Sequence, residues 1–326
     1  MKLFFITDYY NVIYYGDEYL RQLDEAGIEV IFSSSDGKRF LGEKDFINSL
    51  FKKFKSKLNH RKTVIADSGD KIVSLITSGN PHDASSPNSN VGFYFEEEIW
   101  RDIYGLEKGE GLIEDSELDL FLRDVEEEKE GEVSVQYLAD GGLMHSLVEG
   151  IDKTVSGNSV EILIFYLSDS DVINSLLKAS ERGVDVKLIL DVNVQSFGEE
   201  KFGVPNKPVA EKLVKKSGDK IDIRWYLSHG EQFHTKMAII ENGTDVVVFL
   251  GSSNFATNER IIYNLQADVK VVVSLNSSLA GDVNDYFDRL WLNRKGVYTV
   301  DYEKFRDTSF LKSLRYEFGQ WFIRFV

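Results

Sequence analysis

The sequence predicts an α/β protein of two similar lobes, each a mixed β-sheet flanked by helices, with its site at the lobe interface. Three observations carry that prediction. Strands and helices alternate through the second half, the same order returns in shortened form in the first half, and one histidine-lysine pattern occurs once in each. Regular alternation of strand and helix implies a sheet covered by helices. The lobes are placed at residues 1–125 and 126–326.

The first half opens with KLFFITD at 2–8, a strand. Its apolar run is too short, and Asp8 and Asn11 interrupt it too soon, for a signal peptide or a spanning helix. A helix over 18–27, a strand at 28–33, a basic helix near 45–56, and strands at 61–67, 71–76 and 89–95 follow. Residues 108–133 are acid-rich, with EEEKEGE at 126–132, and read as a solvated helix end and linker.

The second half gives a strand at 134–139, a helix over 142–155, a strand at 160–167, a helix over 171–181 and a strand at 184–190. Arg182-Gly183 ends the second of these helices, the glycine supplying a left-handed cap. A helix near 208–216, strands at 222–227, 234–240, 245–250 and 263–273, and a closing helix over 278–292 complete it. The first half resembles this order only from about Val184 onward. Nothing in 1–60 matches the strand-helix-strand-helix of 134–183, so the first lobe is either shorter or opens upstream of Met1.

A hydrophobic fraction of 42%, a charged fraction of 28% and only four prolines are those of a soluble, compact globular protein. The net charge of -16 repels nucleic acid unless a local basic patch outweighs it. Residues 52–62, KKFKSKLNHRK, carry six Lys or Arg and no acid, beside His60, and read as a basic mouth for an anionic substrate. The absence of cysteine excludes disulfides, thiolate metal sites and cysteine nucleophiles. No segment reaches the length of a membrane span, which confines any membrane contact to the periphery. The terminal YEFGQWFIRFV reads as a last core element, or as a tail whose Trp321, Phe322 and Phe325 dip into lipid with Arg324 on the head groups.

The chemistry lies in the repeat. NHRKTVIAD at 59–67 and FHTKMAIIE at 233–241 are both His-x-Lys-x4-acid, giving His60, Lys62 and Asp67 against His234, Lys236 and Glu241. Ser78 and Asn80 follow His60 at +18 and +20, Ser252 and Asn254 follow His234 at the same offsets, and at +30 Asn90 and Asn264 agree. On a strand, residues two apart project to one side, so each His-Lys pair can grip one phosphate. Displacement at a phosphodiester needs neutralised nonbridging oxygens, a nucleophile and an acid for the leaving oxygen. Lysines, asparagines and serine hydroxyls supply the first, and two imidazoles near neutrality supply the rest without a metal.

These paired motifs, with TSGN at 77–80 and GSSN at 251–254, resemble the phospholipase D superfamily across most of the chain. NHRK and TSGNPHDASSPNSN look most similar to bacterial proteins of the cardiolipin synthase type. The resemblance implies a cofactor-free phosphodiester hydrolase or phosphatidyltransferase working through a phosphohistidine, with a phospholipid or another phosphodiester as substrate. Nuclease activity and noncatalytic phosphate or lipid binding are the alternatives. It further implies His60 as nucleophile and His234 as general acid and later base, with Asp67 and Glu241 as supports.

Two departures from the family pattern stand out. The second acid is Glu241 rather than Asp, and where many relatives carry a carboxylate that orients a catalytic histidine, Gln266 stands in the second lobe and Gly92 in the first. Glu96 or Asp268 is a candidate substitute. His82 reads either as lining the site mouth or as stabilising a turn, His229 as an ordinary residue of the loop before His234 rather than one that enters the site, and His145 as a packing or surface residue. Five histidines without a close-spaced carboxylate cluster predict no metal site, and the oligomeric state is left open.

Overall fold

The computed structural model describes residues 3–7, 18–33, 38–39, 59–68, 71–80, 87–96, 98–109, 133–139, 141–193, 195–196, 199–200, 203–256 and 264–308. The predicted basic helix near 45–56, the lobe boundary at 125/126 with its acidic linker, His82 and the aromatic C-terminal segment lie outside these residues.

The first half contributes strands β1 (Leu3–Thr7), β2 (Ile28–Phe32), β3 (Lys38–Arg39), β4 (Thr63–Ser68), β5 (Lys71–Thr77) and β6 (Gly92–Phe95). Helices α1 (Glu18–Glu25) and α2 (Trp100–Gly109) accompany them. From the second half come β7 (Val133–Ala139), α3 (Gly142–Asp152), β8 (Ser159–Ile164), α4 (Ser170–Glu181), β9 (Asp185–Leu190), β10 (Gln195–Ser196) and β11 (Glu199–Glu200). They are followed by α5 (Asn206–Ser217), β12 (Ile221–Tyr226), β13 (Lys236–Glu241), β14 (Asp245–Gly251), β15 (Ala267–Ser274), α6 (Ser278–Trp291) and β16 (Thr299–Asp301).

One eight-stranded sheet, in the order β16-β12-β9-β8-β13-β14-β15-β7, forms the centre. β8, β9 and β12 are parallel to one another, and β13, β14, β15 and β7 are antiparallel to their neighbours. The parallel strands need crossovers, and α4 and α5 provide them. Asp169 starts α4 by accepting from the amides of Asp171 (3.0 Å) and Val172 (3.1 Å). The buried stripe Val172, Ile173, Leu176 and Ala179 then keeps α4 on the sheet. Gly183 closes it at φ +84°, as the sequence implied.

The sheet is buried on both faces. Helices α3, α4 and α5 cover one, through Leu147, Ile151, Leu176 and Leu213. The other meets α6, through Val283 and Phe287, together with the first-half residues Ile76, Phe95, Ile99 and Ile103.

Among the described residues the first half does not repeat this architecture. Instead of one mixed sheet, its described strands form two separate three-stranded sheets, β1-β2-β3 and β4-β5-β6. In the second half β8 joins the parallel pair β9/β12 to the antiparallel set, pairing with β9 on one edge and β13 on the other. Among the described first-half residues no strand takes that place, so β1/β2 and β4–β6 remain unconnected by hydrogen bonds. Helix α2 was not foreseen from the sequence. Its inner face includes Glu107, whose carboxylate meets Arg61 at 3.1 Å with both side chains almost wholly buried, and a buried charge breaks the apolar periodicity that marks a helix.

Candidate active site

β13 is held on both edges by β8 and β14, so the residues just before it are fixed at the end of the sheet. His234 and Thr235 lie there, and Phe165 N–H extends the β8 ladder to Thr235 O at 3.0 Å. The first motif reaches the same place from the other half. His60 N–H donates to Leu265 O at 2.9 Å, and Asn59 bridges Leu265 in parallel. The chain thus crosses its own halves to bring the two motifs together.

Each imidazole is oriented by an amide from the opposite half. His60 Nδ1 lies 3.1 Å from Gln266 Oε1, and His234 Nδ1 lies 3.1 Å from Asn90 Oδ1. Hydrogen-bond direction fixes the tautomer. Ser252 Oγ accepts from Ala267 N–H (2.9 Å), so its own proton goes to Gln266 Oε1 at 2.6 Å. Likewise Ser78 Oγ accepts from Val91 N–H (3.0 Å) and donates to Asn90 Oδ1 (3.4 Å), while Asn90 Nδ2 donates to Asn88 O (3.0 Å). With both amide oxygens acting as acceptors, both rings carry their proton on Nδ1. Nε2 is left with its lone pair.

Neither imidazole touches a carboxylate among the described residues, and both are held neutral. Burial, followed by the charges of Lys62 and Lys236, lowers His60 well below the usual histidine range. Burial, then Lys236, Lys62 and His60 itself, does the same to His234. Hydrogen bonds to Gln266 and to the Ser252 backbone oppose the effect at His60, and one to the Ser78 backbone opposes it at His234. Lys62 Nζ donates to His60 O at 2.8 Å and Lys236 Nζ to His234 O at 3.1 Å, so each ammonium is folded back onto its own motif. The Phe165 ring packs 5.1 Å from the His234 ring and lies 5.3 Å under Lys236 Nζ. That cation–π contact favours the charged ammonium.

The structure corrects the register of the repeat beyond the serines. The Val91 amide bonds Ser78 across 13 residues, whereas its counterpart Ala267 bonds Ser252 across 15. The second half therefore carries two more residues in this turn. The match of Asn90 with Asn264 at +30 is a coincidence of spacing, and Asn90 corresponds to Gln266. The first-half orienting position is accordingly Asn90, not Gly92.

Ser78 and Ser252 are fully buried and spend their hydroxyl protons on these amides rather than pointing them at a phosphate. Asn254 is buried and Asn80 half-buried at the matching turns. Glu241 sits five residues past Lys236 on β13, about 16 Å away by strand rise, and Asp67 holds the same place on β4. Neither proposed substitute acid reaches a histidine. Glu96 pairs with Lys71 at 2.9 Å on the surface, and Asp268 binds Ser253 N–H (2.9 Å) and Oγ (2.5 Å). His145 and His229 are exposed, the latter 3.7 Å from Glu231. The sequence reading missed Phe165 and Asp191, because neither lies in the motif and only the sheet places them beside it.

The α/β scaffold thus brings two His-Lys pairs together, with Lys62, His234 and Lys236 buried and His60 half-buried. Residues 147–291 match the family model described as cardiolipin synthase, phospholipase D-like domain. This stretch, a little under half of the chain, is a phospholipase D-like domain. No curated protein sequence matches the chain. Among solved structures, phosphatidylserine synthase from Haemophilus influenzae Rd KW20 superposes with a TM-score of 0.59 at 10% identity, over 98% of this chain and 88% of that one. Polyphosphate kinase from Porphyromonas gingivalis gives 0.53 at 14% identity, over 100% of this chain and 45% of that one, so the chain spans less than half of that relative. Nuc, a phospholipase D family member from Salmonella typhimurium, gives 0.40 at 23% identity, over 54% of this chain and 99% of that one. Among the described residues no helix is long and apolar enough to cross a membrane.

Proposed function

We propose that the protein is a phosphodiester-processing enzyme acting on phospholipids, by hydrolysis or phosphatidyl transfer through a phosphohistidine. The observation that carries this reading is the convergence of two neutral, Nδ1-protonated imidazoles, each oriented from the opposite half and each backed by a buried lysine. The lone pair on His60 Nε2 attacks phosphorus, and the bond from phosphorus to the leaving alcohol oxygen breaks. His234, protonated at Nε2, gives that proton to the leaving oxygen. It then takes a proton from water or an acceptor alcohol, whose oxygen displaces His60 from phosphorus. Lys62 and Lys236 neutralise the nonbridging oxygens.

Binding of the anionic phosphate is what raises His234 enough to carry its proton, since the empty pocket with two lysines disfavours imidazolium. A net charge of -16 speaks against polyanionic nucleic acid as the substrate. The test is incubation with mixed phospholipids, with and without an added primary alcohol, and identification of products by mass spectrometry. Phosphatidic acid in the first case and a phosphatidyl alcohol in the second are expected. Turnover of no lipid diester would overturn the reading.

One observation favours a second reading. Gln266 and Asn90 are neutral, and an amide cannot stabilise an imidazolium as a carboxylate does. A phosphate- or lipid-binding protein without turnover has that composition, and saturable binding to anionic vesicles with no product identifies it.

A further inference from the structure

Behind the His234 motif lies a buried polar network that the proposed chemistry does not use. β9 ends at Leu190, and the next residue, Asp191, turns its carboxylate toward the segment preceding β13. Asp191 Oδ2 accepts from Phe233 N–H at 2.9 Å, one residue before His234. Its Oδ1 accepts from Asn193 N–H (2.6 Å) and from Asn193 Nδ2 (3.1 Å). Asn193 adopts φ +51°, a left-handed conformation that asparagine tolerates, which folds its side chain back under β8.

From there the network turns to Phe165. Asn193 Nδ2 and Asn206 Nδ2, the latter from the start of α5, both donate to Phe165 O at 2.8 Å. Asn206 also donates to Asp191 O (2.8 Å), accepts from Leu167 N–H (2.9 Å) and donates its own N–H to Asn193 Oδ1 (3.1 Å). Phe165 is the residue whose ring packs against His234 and beneath Lys236. Two arms therefore converge on one half-site, one through the Phe233 backbone and one through the Phe165 carbonyl. Asn193 and Asn206 are fully inaccessible to solvent and Asp191 is buried. Burying this many polar groups in a core that apolar residues could fill is costly, and it is justified where it fixes a unique geometry.

We propose that Asp191, Asn193 and Asn206 form a positioning platform that sets the place and orientation of His234 and Lys236, independently of the His60 half-site. The proposal rests on the reading of His234 as a reacting group. Its physical content is preorganisation, for which an error of about 1 Å costs on the order of 100-fold in rate. The His60 motif is supported differently. It is held by its backbone bond to Leu265 and, through Arg61, by the ion pair to α2.

The test uses Asp191→Asn and Asn206→Ala in the full chain. In Asp191→Asn an amide NH2 replaces one acceptor and faces an N–H, so one anchor is lost at constant volume. Asn206→Ala removes donors from Phe165 O and leaves the Asp191 bond to Phe233. Imidazole signals of the two histidines are followed by NMR in protein labelled with 15N-histidine, His60 serving as the internal reference. Thermal melting is measured alongside. Expected is a displaced His234 signal, with its titration moved by about half a pH unit or more, while His60 and the melting temperature change little. On the turnover substrate, kcat falls about 100-fold while KM stays within about threefold.

Unchanged His234 signals overturn the proposal. So do His60 and His234 moving together with a lowered melting temperature, or loss of the fold in both variants, since each marks a merely structural role. If only Asp191→Asn fails to fold, Asn206→Ala decides by the same criteria. The imidazole signals need no turnover, so an inactive wild type removes the proposed function while the NMR result still decides the positioning role.

Discussion

The two halves of the molecule carry the same His-x-Lys motif on different supports. In the second half β13–β15 belong to a continuous sheet, and α3 packs so closely on it that a side chain at Gly150 would meet Ile240 Cδ1 at 3.0 Å. In the first half β4–β6 bury one face against the central sheet, through Ile76 and Phe95, while on the other Val64 is 52% and Tyr94 58% exposed. The residue between histidine and lysine chooses its partner the other way round, across the halves at Thr235 and within the first half at Arg61. Thr235 donates its hydroxyl to Ser89 O at 3.2 Å, while Arg61 enters a buried ion pair with Glu107. The difference teaches that the second motif rides on a sheet paired on both edges and the first on a small sheet packed against it, while each histidine is still oriented from the opposite half.

The sharpest way to break the comparison is to remove each histidine in turn. His60→Ala is expected to abolish turnover, a loss of about 10⁴-fold or more, and to trap no phosphate on the protein. His234→Ala is expected to lose turnover comparably but still to form the phosphoenzyme with an activated leaving group that needs no proton. Labelled-phosphate trapping with a nitrophenyl diester measures both. Full activity in His60→Ala ends the assigned role.

Next in size is the support of the first motif. Arg61→Ala takes the guanidinium away from buried Glu107 and should cost about 3–5 kcal/mol in stability. Replacing both residues by Met should recover much of that. Chemical denaturation of the two variants tests it, and a loss under about 1 kcal/mol in Arg61→Ala would show that the pair is not what holds this half.

The amides give a subtler contrast. Gln266→Glu places a carboxylate on His60, and Asn90→Asp places one on His234. Each favours the imidazolium form and so raises that ring by about 1 unit or more. A nucleophile must be neutral, so Gln266→Glu should move the acid limb of the pH–rate profile upward. An acid must be protonated, so Asn90→Asp should extend activity on the alkaline side. If the two variants exchange these signatures, the roles of the histidines are exchanged.

The smallest effect lies away from the site. Burial on β8, with Asp288, Asp185 and Glu241 nearby and Lys187 opposing, pushes Glu161 up to about 8. Its folded-state value is above its unfolded one, so the folded protein holds the proton more tightly. Its contribution to stability is complete below the unfolded value and is lost as pH rises toward about 8. Glu161→Gln should be more stable than wild type at pH 8–9 by about 1–3 kcal/mol and nearly equal to it at pH 4. Melting curves across that range measure the difference.

Much of the second half was legible in the sequence. Its strands are short apolar runs between turn residues, its helices carry caps and stripes, and such local signals survive without knowledge of the fold. The two His-Lys pairs were legible for a related reason, since a repeat at fixed offsets is visible before any geometry is known. The repeat failed as a guide where a turn differs by two residues between halves. Counting at fixed offsets then matched Asn90 to Asn264, and only the bonds of Ser78 and Ser252 show the true counterpart to be Gln266.

By itself, then, the sequence determined the α/β class, the two motifs and the residue types able to handle a phosphate, because each of these is written in neighbouring residues. Tertiary structure alone decided which amide faces which histidine, that the described first-half strands form two small sheets, and that Asp191 and Asn206 lie behind His234. Those depend on contacts between residues up to 206 positions apart, as at His60 and Gln266. Such contacts are selected by how the sheets close upon one another, and no local pattern in the chain records it.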